Sequence, residues 1–196
     1  KSTRADLTED GIYSISKASE TVIDQLQEPL LIRGYFSSRT HPLLAPLVPT
    51  IRDLIEEYEI ISGGKVQSEF VDPRESEDIE AEAKRKYNID PVSFKIEDRH
   101  SAAMVNSYFN IVIQYGDQHE VLSFNDLIEI KYQGVGTPQV ELRNLEYDIT
   151  RSIRKVMKSF NKTDQLFADL DRKIKFVAYL SEGSLPKELS TLTNDM

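Results

Sequence analysis

Hydrophobic and polar residues follow one another along the chain in patterns that predict helices and strands. Apolar residues at helical spacing predict helices within segments 15–26, 47–61, 79–87 and 142–160. Short apolar or alternating runs predict strands at 30–36, 65–71, 92–96 and 173–180, and a hairpin formed by 108–115 and 119–124. Because strands and helices alternate in the first half, the chain is predicted to be an α/β protein.

Turn and capping residues mark the ends of these elements. Ser14 or Ser16 can cap the first helix, and Asp72 can cap the third. Gly63 and Gly64 end the second helix, and Asn88 suits the left-handed position after the third. Residues 161–163 are predicted to separate the long helix from a short segment with further apolar residues.

The order of elements resembles that of thioredoxin-like folds. We therefore expect a thioredoxin-like mixed sheet (βαβα-ββα order) that lacks the Cys-x-x-Cys pair, with an extra N-terminal helix and a C-terminal strand extension. The expected boundaries are 1–28 for an N-terminal helical lead-in, 29–132 for the thioredoxin-like core, and 133–196 for the long helix with the start of a following α/β unit.

This resemblance indicates a candidate interaction loop. In thioredoxin-like folds a proline, commonly cis, precedes the third core strand and lies opposite the loop after the first strand. Pro91 takes the matching position here, and the loop carries Arg39, Thr40 and His41. Redox members place two cysteines in this loop, whereas this chain has no cysteine, which excludes disulfide exchange and cysteine-ligated metals.

Charge and composition exclude further classes. The 196 residues include 24 Lys and Arg against 33 Asp and Glu, a formal net charge of −9. Such a balance disfavours general binding to nucleic acid or to anionic lipid, although a local basic patch stays possible. No segment has the run of roughly 18 apolar residues that a membrane-spanning helix needs.

Residues that could carry chemistry have simpler interpretations. His41 has no partner at metal-ligand spacing, because His100 and His119 lie in unrelated segments. The acidic run at 75–82 lacks the spacing of a calcium loop and is typical of a solvated helix face. Gly134 and Gly136 lack the rest of a phosphate-binding loop. The sequence therefore predicts no catalytic residue, cofactor or metal.

Several segments, taken in order, resemble the GldG-like family of auxiliary proteins of ABC transport systems. The segments are 6–16 (DLTEDGIYSIS), 33–37 (RGYFS), 51–58 (IRDLIEEY), 69–73 (EFVDP), 87–92 (YNIDPV) and 145–153 (LEYDITRSI). The resemblance implies a membrane-anchored protein on the extracytoplasmic (periplasmic) face of the bacterial inner membrane, held by transmembrane segments outside this sequence. Its implied partners are ABC permease and ATPase subunits, and in gliding bacteria the family is associated with motility.

The function expected from this resemblance is non-catalytic binding of a protein, peptide or envelope ligand, with no nucleic-acid partner. Two alternatives stay open at this point. One is a sulfur-free thioredoxin-like enzyme, for instance a hydrolase that uses Asp72 and His41. The other is a purely structural scaffold of the permease complex, which would bind no small ligand.

Overall fold

A computed structural model of the chain describes residues 14–98, 101–131 and 138–168. The chain divides into two compact units, 1–163 and 164–196, and the described helices and strands all begin in the first unit. The strand predicted at 173–180, and with it the C-terminal extension, lies outside the described residues. So do segment 6–13, His100, Gly134 and Gly136.

The described elements follow the predicted alternation of helices and strands. The helices are α1 (Lys17–Asp24), α2 (Leu47–Ile61), α3 (Glu77–Tyr87), α4 (Phe124–Leu127) and α5 (Leu145–Ala168). The strands are β1 (Leu30–Phe36), β2 (Val66–Val71), β3 (Val92–Asp98), β4 (Ser101–Ser107), β5 (Phe109–Tyr115), β6 (Gln118–Leu122), β7 (Ile128–Lys131) and β8 (Gln139–Leu142). A 3-10 turn, Pro73–Glu75, lies between β2 and α3.

The centre of the fold is a four-stranded mixed sheet in the order β2-β1-β5-β6. Strands β1 and β2 are parallel, as expected for strands joined by a helix, whereas β5 runs antiparallel to both β1 and β6. The hairpin predicted from the sequence is thus confirmed as β5 and β6. The strands β3 with β4 and β7 with β8 form separate antiparallel pairs.

Alternation along β1 divides its side chains between two layers. Ile32 and Phe36 belong to the larger core, which also receives α1, α2 and α5. Tyr35, on the opposite face, packs with Ala83 and Tyr87 of α3 in a smaller core. Burial on both faces accounts for the mostly apolar sequence of this strand.

The strand after Pro91 differs from the prediction. We expected it to be the third strand of the main sheet, but it is β3, which pairs with β4 along Val92–Asp98. Strand β5 takes the place beside β1, because six of its seven residues are buried and suit a central strand. The peptide bond before Pro91 is trans, since the described residues contain no cis peptide bond.

The long helix also differs at both of its ends. It begins at Leu145 rather than 142, because residues 139–142 pair with β7 as strand β8. The helix does not end at 161–163 as predicted, since α5 continues to Ala168, although the boundary between the two compact units falls after residue 163. Within the described ranges, no helix combines the length and the apolar character needed to cross a membrane.

A buried chain of hydroxyl groups joins three helices. The Thr150 hydroxyl of α5 lies 2.6 Å from the Tyr58 hydroxyl of α2 and 2.8 Å from the Ser19 hydroxyl of α1. The Ser19 hydroxyl also donates to the Glu146 carboxylate at 2.6 Å. Burial raises the pKa of Tyr58 to about 12, so this phenol stays protonated as a donor.

Gly34 is required by the close approach of two aromatic rings to β1. A Cβ atom at this position would lie 2.6 Å from Cε2 of Phe36 and 2.7 Å from Cδ1 of Phe70. We expect Gly34→Ala to lower the free energy of unfolding by about 1–3 kcal/mol, the usual cost of overpacking, in urea denaturation. Adding Phe70→Leu should recover part of this loss, and purely additive effects would contradict the explanation.

Removing the Tyr58 hydroxyl tests the hydroxyl chain. Tyr58→Phe leaves the buried Thr150 hydroxyl with one partner fewer, and we expect a loss of about 1–2 kcal/mol in the free energy of unfolding. Tyr147→Phe is the matched control, because Tyr147 is 59% exposed. Equal stability of the two variants in the same denaturation experiment would show that the Tyr58 hydroxyl does not contribute to the free energy of unfolding.

Candidate functional site

The loop that follows β1, residues 37–46, is fixed to the start of β5. The buried Ser37 donates its backbone N–H to the Tyr108 carbonyl at 3.1 Å. Its side-chain oxygen accepts the Tyr108 backbone N–H at 2.9 Å. These reciprocal hydrogen bonds hold the first residue of the loop against the main sheet.

Asp72 connects this loop with the end of β2. One carboxylate oxygen accepts the Ser38 backbone N–H at 2.7 Å, and the other accepts that of Arg74 at 2.9 Å. Burial opposes ionisation of this carboxyl, but the hydrogen bonds from Ser38 and Arg74 prevail and lower the pKa of Asp72. Asp72 caps the 3-10 turn Pro73–Glu75, rather than α3 as predicted.

The predicted loop residues have different surroundings. The Thr40 hydroxyl lies 3.0 Å from that of the buried Ser107. Nδ1 of His41 accepts the backbone N–H of Leu43 at 3.2 Å, and the His41 ring lies 6.1 Å from that of Phe94. Arg39 is exposed. The loop is therefore held by polar contacts while its arginine faces solvent.

Hydrogen bonds to this loop come from Ser107 and Tyr108, whereas Pro91 lies one residue before β3. Strand pairing places its neighbour Val92 opposite Ser107, and it is Ser107 that contacts Thr40. The position directly before β5, where the loop is bound, is occupied by Tyr108. Sequence order alone assigned Pro91 to this position because β4, which intervenes, was not recognised.

A cleft of about 470 Å³ opens between the loop, the 3-10 turn and β4. Its lining combines charged groups with one exposed apolar side chain: Ser38, Arg39, Asp72, Arg74, Glu75, Met104, Val105 and Asn106. Met104 is 65% exposed and presents its apolar side chain to the cleft. Nη1 of Arg74 donates to the Asn106 carbonyl at 3.1 Å and so joins the two sides.

A second cleft, of about 440 Å³, adjoins the first and shares Ser38, Asp72 and Glu75 with it. Here the Arg52 guanidinium lies 4.3 Å from the centre of the Phe70 ring, a cation–π contact. The two clefts together form a continuous surface at the carboxyl ends of β1 and β2. Ligands of open α/β sheets commonly bind at such ends.

The sequence reasoning found the loop but missed the opposite side of the cleft. Met104 and Asn106 were not predicted, because segment 101–107 is rich in small and polar residues and gives little strand signal. Arg74, in the 3-10 turn after Asp72, was not predicted either. The pairing of β4 with β3 is what brings Met104 and Asn106 to the cleft.

Asp72 and His41, the two residues of the hydrolase alternative, both form hydrogen bonds within the protein. Both oxygens of Asp72 and Nδ1 of His41 already accept backbone N–H groups. These bonds fix the loop. Among residues 14–98, 101–131 and 138–168, no group of three acidic or histidine side chains could hold a metal ion.

Asp72 makes stability depend on pH in a defined direction. Because the pKa of Asp72 is lower in the folded chain than in the unfolded chain, its ionised form stabilises the fold. This contribution to the free energy of unfolding is present above the ordinary aspartate pKa of 3.8 and is lost as the pH falls through the pKa of the folded chain. We expect Asp72→Asn to destabilise the chain at neutral pH by about 1 kcal/mol, because the amide has one oxygen in place of the two that accept N–H groups, and to weaken this acid dependence. Denaturation between pH 2 and 7 measures both effects.

The control for this experiment is Asp53→Asn, which changes an exposed aspartate of α2. It removes the same charge without affecting the loop. If both variants follow the same stability profile against pH, then Asp72 does not anchor the loop through its ionised form.

Comparison with known proteins gives one match. The model of the family described as "Domain of unknown function (DUF7088)" matches residues 9–114, which is more than half of the chain. The matched segment includes loop 37–46, Asp72 and β4, and therefore both sides of the cleft. No curated protein and no solved structure matches the chain. The chain thus belongs to the DUF7088 family, a family of unknown function.

Proposed function

We propose that this chain is a non-catalytic binding module with a thioredoxin-like fold, the extracytoplasmic part of a membrane-anchored auxiliary component of an ABC transport system. Its ligand is a protein or peptide segment, which binds in the cleft between loop 37–46 and β4. The observation that carries this proposal is the cleft itself, in which a firmly anchored loop presents the exposed Arg39 opposite the exposed Met104.

The anchoring of the loop favours recognition. Ser37, Ser38 and Thr40 are each held by a hydrogen bond to a neighbouring element. A loop that is fixed before binding loses little conformational entropy when a ligand arrives. The surface therefore resembles a preformed recognition site.

The side chains of the cleft suit a peptide better than a small apolar molecule. Arg39 and Arg74 can donate hydrogen bonds to carboxylate or carbonyl oxygens of a peptide. Glu75 can accept hydrogen bonds from its amide N–H groups or from its basic side chains. Met104 offers a flexible apolar contact of the kind found at adaptable binding surfaces. The cleft is open and mixed in polarity, whereas small-molecule sites are mostly enclosed and apolar.

Two further features support the finer parts of the proposal. The sheet order β2-β1-β5-β6, with a parallel first pair and an antiparallel second pair, agrees with a thioredoxin-like core. The resemblance to GldG-like proteins includes segments 33–37 and 69–73. The first leads into the loop, and the second contains Asp72, which binds the loop at Ser38. The membrane system and its permease and ATPase subunits are inferred from that resemblance.

The test uses the full-length parent protein in its native membrane. A photo-crosslinking residue replaces the exposed Ser38, which lines the cleft and leaves Arg39 and Met104 in place, and the captured proteins are identified by mass spectrometry after affinity purification. We expect a crosslinked protein or peptide together with co-purified ABC permease and ATPase subunits. Adding Met104→Ala should reduce the crosslinked yield about tenfold, as truncation of a central interface residue commonly does.

Ile60 provides a matched control, because it is an exposed aliphatic residue of α2, at 71%, against 65% for Met104. Ile60→Ala should leave the crosslinked yield unchanged. Equal effects of the two substitutions would contradict the placement of the ligand in the cleft. Purification without any permease or ATPase would contradict the transport system while leaving the cleft result valid.

A further inference from the structure

The exposed side of α5 is strongly basic, although the protein as a whole is acidic. Between Thr150 and Thr163 the helix contains no Asp or Glu. Its exposed cations are Arg151, Arg154, Lys155, Lys158 and Lys162, which we call the basic face. At about 100° of rotation per residue, these five side chains share an arc of about 100° and extend for about 16 Å.

The spacing of these cations destabilises α5 as long as no anionic partner is bound to it. Arg151 with Lys155, Arg154 with Lys158, and Lys158 with Lys162 are pairs four residues apart, where like charges repel. Lys155 is paired with Glu120 at 2.8 Å. Attraction to the carboxyl end of the helix dipole does not account for the arrangement, because this effect is confined to the last turn and α5 continues to Ala168.

Carboxylates border the basic face on both sides. Glu120, Asp126 and Asp148 line a cleft of about 360 Å³ together with Arg151 and Lys155. On the other side, Glu146 shares a cleft with Arg151 and Arg154. The positive surface is therefore a narrow strip one helix wide.

A narrow strip selects among anionic partners. A flat anionic membrane or a nucleic-acid duplex is wider than this strip, so part of its charge would face the carboxylates beside Arg151, Arg154 and Lys155 and would be repelled by them. An acidic helix lying along α5 would contact the five cations and leave the carboxylates at its sides. The charge pattern thus fits an elongated acidic protein segment.

We propose that the basic face of α5 binds an acidic helix of a partner protein, with Asp or Glu side chains three, four and seven residues apart on one side. Tyr147, which is 59% exposed, lies on the same arc of α5 and provides an aromatic contact at one end. This surface is distinct from the cleft at β4 and does not depend on the proposed function.

The probe is a synthetic, fluorescently labelled acidic helical peptide with glutamates at this spacing. Its dissociation constant for the full 196-residue chain is measured by fluorescence anisotropy at low and at physiological salt. We expect binding that weakens as salt increases, and a peptide of the same composition with scattered glutamates should bind at least about fivefold more weakly. Equal binding of the two peptides would overturn the proposal.

Charge reversal locates the binding surface. Arg154→Glu with Lys158→Glu should weaken binding of the ordered peptide about tenfold or more. The control, Lys65→Glu with Arg85→Glu, makes the same change in net charge at residues whose side chains bond to backbone carbonyls outside α5. Unchanged binding in the α5 variant, or an equal loss in the control, would overturn the proposal.

Two further measurements separate the partner classes and test the argument from charge spacing. We expect weaker binding than that of the ordered peptide for two other anionic probes: vesicles of equal parts phosphatidylcholine and phosphatidylglycerol, and a DNA duplex. Tighter binding of either probe that is lost with Arg154→Glu and Lys158→Glu would overturn the proposal of a protein partner.

Lys158→Gln should raise the melting temperature of the free chain, because it relieves repulsion within the basic face. A lower melting temperature would contradict the argument from charge spacing.

Discussion

The pairing of β1 on both of its edges is the constraint on which the rest of the structure depends. One edge pairs in parallel with β2 and the other antiparallel with β5, so residues 30–35 have a neighbouring strand on both sides. Its side chains alternate between a large core and a smaller one under α3. Gly34 lets two aromatic rings approach the strand closely, which sets the packing near its end.

The same constraint positions the candidate site. The chain leaves β1 at Phe36, and Ser37 is bound at once by Tyr108 of the neighbouring segment. The parallel strand β2 ends at the same edge of the sheet, so that Asp72 can bind the next residue of the loop. In the proposed binding mode, the polar atoms of the loop hold it in place, and the exposed Arg39 and Met104 on the opposite side of the cleft contact the ligand.

The two proposed surfaces differ in how they could bind a partner. The cleft combines charges of both signs with an apolar side chain and depends on shape. The basic face of α5 is a strip of one sign within a chain of net charge −9, and it depends on charge spacing. The family match covers the cleft but ends at residue 114, before α5. The basic face therefore lies outside the segment that defines the family.

The sequence by itself determined the order and type of most elements, because helical periodicity, alternation and turn residues are local signals. It predicted the alternation of strands and helices in the first half, the hairpin of β5 and β6, and the left-handed Asn88, which has φ of 53°. Tertiary structure alone decided which strand lies beside β1, since that choice depends on burial of a whole surface and not on order along the chain. It also decided that Met104 faces loop 37–46, because weak strand signals become strands only when a partner such as β3 supplies the hydrogen bonds.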